Sequence, residues 1–174
     1  MKHLLLSTII AGCMSIGAFA QNVQTEASSV NFEISNMVVN TIEGSFSGMT
    51  GTVAFNPRRL RKASINVCVD ANTVDTDNAK RDGHLRTADF FDTETYPTIC
   101  FVSTDISKVN GEYLAKGTLS MHGVTRNVDV PLTYEDGTLT AKLTMNRLDY
   151  KIGVETGTAM VGNEVELTIV CVIN

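Results

Sequence analysis

Tyr113-Leu-Ala-Lys-Gly-Thr-Leu-Ser-Met121, a His122-Gly123 step, then Val124-Thr-Arg-Asn-Val-Asp-Val-Pro-Leu-Thr-Tyr134: this stretch decides the fold. Tyr113, Ala115, Gly117, Leu119 and Met121 alternate with polar or outward residues, and Val124, Val128, Val130, Leu132 and Tyr134 continue with the same period. A period of two places one apolar set on one face of a strand. Glu135-Asp136-Gly137 turns the chain again, and Leu139, Ala141, Leu143 and Met145 share the next face.

The same alternation extends in both directions. Upstream it runs through Val30, Phe32 and Ile34; Ile42, Gly44, Phe46 and Gly48; Gly51, Val53 and Phe55; and Ile65, Val67 and Val69. The glycines at 44, 48 and 51 fit a strongly bent or bulged pair of strands. After Pro97, Ile99 and Phe101 resume the pattern, and Asn110-Gly111 is a hairpin signal. At Asn146-Arg147 the parity flips, so that Leu148, Tyr150, Ile152 and Val154 carry the alternation; a bulge or tight bend is expected near 145–148. Val165, Leu167, Ile169, Cys171 and Ile173 form a closing strand. The expected fold is all-β. About eight antiparallel strands, each with one apolar face, bury that face best by curling into an extended barrel. A two-sheet sandwich with a dry core fits the same alternation.

Only residues 73–97 break the pattern. They are dense in charge, with Arg81, Asp82, His84, Arg86 and Asp89 ahead of Phe90-Phe91. A short helical crossover is expected near 75–92. In it, Asp75 or Asp77 caps the helix, Arg81 and Arg86 pair with Asp82 or Asp89, and Phe90-Phe91 plugs one barrel end. The other reading is a polar site in which Arg81, His84 and Arg86 meet a ligand head group. The basic run Arg58, Arg59, Arg61 and Lys62 reads as a solvated turn.

Lys2 and His3, an apolar run from Leu4, and Ala18-Phe19-Ala20 read as a signal peptide over 1–20, cleaved before Gln21. That leaves 21–174 as one barrel domain, exported to the periplasm. Ile10-Ala-Gly-Cys13 supports the alternative of a lipoprotein anchored through Cys13. No apolar segment is long enough for a helical membrane span. The formal charge of −5 becomes −6 without Lys2, which argues against nucleic acid as a partner. Of the later cysteines, Cys68 and Cys100 share an outward face and flank the 71–97 connection, so a cross-strand bridge between them is an open alternative. Cys171 has the inward parity of a buried free thiol. His84 and His122 lack metal-ligand spacing, and no nucleophile signature is present, so neither a metal site nor catalysis is expected.

Four strings go further than periodicity. They are Arg81-Asp-Gly-His-Leu-Arg86 with Ala88-Asp-Phe-Phe91 and Tyr96-Pro97; Gly117-Thr-Leu-Ser-Met-His-Gly-Val-Thr-Arg126; Gly44-Ser-Phe-Ser-Gly48; and Val161-Gly-Asn-Glu-Val165. Together they resemble the YceI-like family over about 26–174. The resemblance implies a lipocalin-like barrel that binds an elongated apolar ligand, a polyisoprenoid or isoprenoid quinone-like lipid, in its interior. It implies no enzymatic activity and no cofactor beyond such a bound lipid. The pocket is then expected from the inward sets: Val30, Phe32, Ile34, Phe46, Val53, Phe55, Ile65, Val67, Ile99, Phe101, Leu119, Met121, Leu143, Leu167 and Ile169. The alternative is a stress-related structural or interaction module with a filled core and no ligand. A homodimer is left open.

Overall fold

The structure, a computed structural model, describes residues 20–36, 40–157 and 160–173. Its strands are β1 (Gln21–Asn22), β2 (Ser29–Asn36), β3 (Asn40–Phe46), β4 (Thr50–Ala54), β5 (Ser64–Asp70), β6 (Thr98–Val109), β7 (Glu112–Met121), β8 (Val124–Glu135), β9 (Thr138–Asn146) and β10 (Val161–Val172), with one helix, α1 (Ala79–Leu85). They form one curled antiparallel sheet in the order β1-β4-β5-β6-β7-β8-β9-β10-β2-β3.

Three two-residue turns set the register of its central run. Asn110-Gly111, His122-Gly123 and Asp136-Gly137 each have positive φ at both positions. That is the turn whose twist matches paired strands, and it favours glycine second. The pairs Val109↔Glu112, Met121↔Val124 and Glu135↔Thr138 close directly around them. Across the sheet Val67, Phe101 and Leu119 then fall in one inward row. Val30, Ile169 and Ala141 fall in another.

The two edges of the sheet are joined by short links. Ser45 of β3 exchanges backbone hydrogen bonds with Asp75, at 2.8 and 3.0 Å. At the other end of the barrel, Val23 donates to Gly51 O at 3.1 Å and Gln24 donates to Val172 O at 2.8 Å. Such links blunt edges that would otherwise invite pairing with other chains.

Four expectations need correction. The sheet has ten strands rather than eight; β1 is a two-residue pairing, too short for alternation to announce. β3 and β4 do not pair with each other, because the Ser47-Gly48-Met49 link carries the chain across the seam to the opposite edge. The apolar run 148–154 is not a strand: after the bend at 146, residues 147–150 form a 3-10 turn whose first amide is held by Asn146 Oδ1 at 2.9 Å. Finally, α1 is capped by Asn78, whose Oδ1 accepts from Arg81 N at 3.0 Å. Asp77 is the residue at φ +55 just before it.

The core is densest at the end of the barrel away from α1. Val53 and Ala115 have no exposure, and Ile106 has 4%. Phe55 packs there against Tyr113 and Tyr134, with ring centroids 5.1 and 4.8 Å away.

Candidate ligand cavity

The half of the barrel under α1 is hollow. A cavity of about 460 Å³ runs up from a floor of Leu132, Leu139, Ala141 and Cys171. Its size falls within the range of small-molecule sites, roughly 300–1,000 Å³. Val30, Val67, Phe101, Leu119, Leu143, Leu167 and Ile169 point inward yet are only half-buried, because the space they face is open.

Two glycines help to keep it open. Phe32 lies opposite Gly44 across β2 and β3, and a Cβ on Gly44 would collide with its ring. A Cβ on Gly117 would stand 2.8 Å from the ring of Phe101. Both large rings therefore lie down along the wall instead of standing into the lumen.

All of the fifteen expected pocket residues line this cavity except Val53 and Phe55. Those two belong to the filled end, where Tyr113 and Tyr134 leave no space beside Phe55. Phe90 and Phe91 close the α1 end: Phe91 meets Phe46 edge-on at 5.2 Å, and Phe90 is buried with Met121, Tyr150 and Ile152.

The polar crossover above it is held by side chain to backbone contacts rather than by the expected ion pairs. Asp82 is buried and accepts from Thr76 N at 3.0 Å and from Thr76 Oγ1. Arg81 Nε donates back to Thr76 Oγ1, and its Nη2 to Thr76 O, both at 2.7 Å. Arg81 and His84 line the cavity; Arg86 does not. Arg86 follows the last helical residue and turns away, donating to Asn72 O at 2.8 Å and Val74 O at 2.6 Å. The one pairing of the expected kind is His84 Nε2 with Asp89 Oδ2 at 3.2 Å, between exposed groups. His122 Nδ1 meets Tyr150 O at 3.0 Å.

Periodicity missed one lining residue, Arg147. It is 4% exposed and sits where the apolar parity flips. Its Nε donates to Gly162 O at 2.8 Å, and its Nη1 to Ile152 O at 2.7 Å and Gly153 O at 2.6 Å. Nη2 reaches Thr156 O, Val161 O and Asn163 Oδ1 at 3.3–3.4 Å. Burial pushes its pKa down. The one available signal was an arginine followed by Gly153, Gly157 and Gly162, a loop rich in accessible carbonyls.

Cys68 and Cys100 face each other across β5 and β6 as a disulfide, opposite to the face of Val67 and Phe101. The bridge ties the two ends of the 71–97 crossover together. Cys171 is a free, buried thiol whose pKa is pushed up to about 11 by burial. Among the described residues no group of three His, Cys, Asp or Glu side chains is placed to hold a metal, and no helix is long and apolar enough to cross a membrane.

A curled antiparallel barrel, packed at one end and hollow at the other, defines the lipocalin-like class. Within that class the chain belongs to the YceI-like family, whose domain description matches residues 21–173. A UPF0312 protein of Vibrio cholerae serotype O1 (strain M66-2) is 35% identical over 136 residues, covering 74% of this chain and 71% of that one. Protein YceI of Escherichia coli O157:H7 is 37% identical over 99 residues, 57% of this chain and 52% of its own. Among solved structures, Burkholderia cenocepacia BcnA has a TM-score of 0.78 and 26% identity, covering 87% of this chain and 99% of that one. A polyisoprenoid-binding domain from Saccharophagus degradans shares the fold with a TM-score of 0.70 at 20% identity, covering 89% and 98%.

Proposed function

We propose that the protein binds an elongated apolar lipid of the polyisoprenoid or isoprenoid-quinone kind inside the barrel and carries or stores it in the periplasm. The cavity carries this reading: a continuous apolar lumen whose lining side chains are left half-exposed. Removing about 300 Å² of ligand surface from water contributes roughly 7 kcal/mol before ordering costs. No reactive group is needed. The ligand named for the Saccharophagus degradans domain agrees in kind. A filled-core module without a ligand describes only the Phe55 end.

Export is supported by the signal-like residues 1–20, which lie almost wholly outside the described residues, and by Gln21 entering β1 directly. The Cys68–Cys100 bridge suits an oxidising compartment. The test is to purify the protein from the periplasm, extract it with organic solvent and identify lipids by mass spectrometry. A co-purifying isoprenoid lipid is expected. Added back at 100 times its Kd, it should stabilise the fold by about 2.7 kcal/mol. Repeated recovery of no apolar molecule, with no thermal shift from isoprenoid lipids or quinones, would sink the reading.

A further inference from the structure

We propose that the cavity selects a lipid with an anionic head, a carboxylate or a phosphate, held at the α1 end by Arg81, His84 and Arg147. This rests on the apolar-ligand reading above and adds the charge of the head. The chain is acidic overall, at −5. Yet the ionisable side chains lining the cavity, apart from cysteine thiols, are Arg81, His84 and Arg147, and no Asp or Glu is among them.

The three stand at one end. The His84 ring meets Phe90 at 5.0 Å. Gly153 lies between Phe90 and Arg147: a Cβ there would be 2.7 Å from the Phe90 ring and 3.0 Å from Arg147 Nη1. Arg81 precedes His84 by three positions on α1, so both side chains share one helical face.

Donor capacity remains at that end. Arg81 spends Nε and Nη2 on Thr76, and no bond engages its Nη1 among the described residues. Arg147 Nη2 has two hydrogens for three long contacts of 3.3–3.4 Å, the weakest part of its cage. The carboxylates nearby are already committed. Asp82 is turned to Thr76, and its charge reaches Arg81 through the shared hydroxyl. Asp89 is exposed beside His84. The partners of Arg147 are neutral oxygens, so its charge is buried without a counter-ion among the described residues. An uncompensated buried cation is costly. An anionic head arriving down an apolar lumen would offset that cost, and the guanidinium fork suits both carboxylate and phosphate. A hydroxyl or quinone oxygen accepts a hydrogen bond but brings no charge.

The test uses one tail with three heads. Farnesyl monophosphate, farnesoic acid and farnesol compete with a fluorescent apolar reporter on the delipidated mature protein. At least one anion should bind about tenfold or more tightly than farnesol, and Arg81→Gln should shrink that preference about threefold or more while leaving farnesol unchanged. Preference for only one of the two anions supports the proposal and names the head. Equal affinity for all three overturns it and leaves the apolar cavity standing. Binding of none overturns the reading beneath it. A preference that survives both Arg81→Gln and Arg147→Gln overturns its assignment to this end. If Arg147→Gln does not fold, survival of the preference in Arg81→Gln together with His84→Gln overturns it in the same way.

Discussion

The two ends of this barrel are built from the same alternating pattern and do opposite things. At the far end Phe55, Tyr113 and Tyr134 interlock, with Val53 and Ala115 fully buried beneath them. At the α1 end Phe32 and Phe101 lie flat on Gly44 and Gly117, and the strands enclose space. Inward-facing aromatics are present in both. What differs is the partner each ring finds across the sheet: another ring at one end, a glycine at the other. The filled end anchors the fold, which lets the hollow end remain empty without collapsing.

Truncation should expose this difference most strongly. Phe55→Ala removes a ring packed on all sides and should destabilise the protein by about 3–5 kcal/mol. Leu143→Ala removes a side chain that already faces open space, so fewer contacts and no fresh cavity are at stake; its cost should stay below about 2 kcal/mol. Urea denaturation of the delipidated protein measures both. Equal losses would mean that the α1 end is packed in solution and that the comparison fails.

How much of this was legible in the sequence follows the range of the interactions. The three tight turns are local, and the residue pairs at 110–111, 122–123 and 136–137 announce them. The inward faces follow from parity. The filling of the lumen is not local: Phe55 and Phe101 have the same parity and the same side chain, and only tertiary neighbours separate them. In the crossover, helical spacing placed Arg81 and His84 together on the cavity. Arg86 lies past the last helical residue, and its carbonyl partners at 72 and 74 carry no signal in side-chain identity. Arg147 was missed for the same reason, since its cage is almost all backbone oxygen.

Adding volume should reverse the order of the two ends in another observable. Ala115 has no exposure, so Ala115→Leu overpacks the filled end and should cost about 1–3 kcal/mol, with little direct effect on ligand affinity. Ile169→Phe grows into the lumen. It should change stability by less than about 1 kcal/mol while weakening lipid binding tenfold or more. Thermal melts and reporter displacement on the two variants separate these outcomes. A strongly destabilised Ile169→Phe that still binds lipid would place the ligand elsewhere.

The smallest effect probes the border between the two ends. Cys171 lines the cavity floor, yet it is 6% exposed, and burial raises its pKa to about 11 from an ordinary value of 9.0. Below pH 9 the thiol is protonated in both folded and unfolded chains, and its contribution is constant. Between about pH 9 and 11 the unfolded chain releases this proton and the folded chain keeps it. Stability therefore falls with rising pH, by roughly 2 kcal/mol at most over that window. Other groups titrate there too, so the quantity to read is the difference between the wild type and Cys171→Ala, which removes only this contribution. If the floor is dry, the two stability curves run parallel up to pH 9 and converge or cross above it. If water fills the floor, the thiol ionises near its ordinary pKa and the curves stay parallel to pH 11. In that case the hollow region reaches deeper than the residues that line it suggest, and the boundary moves toward Phe55.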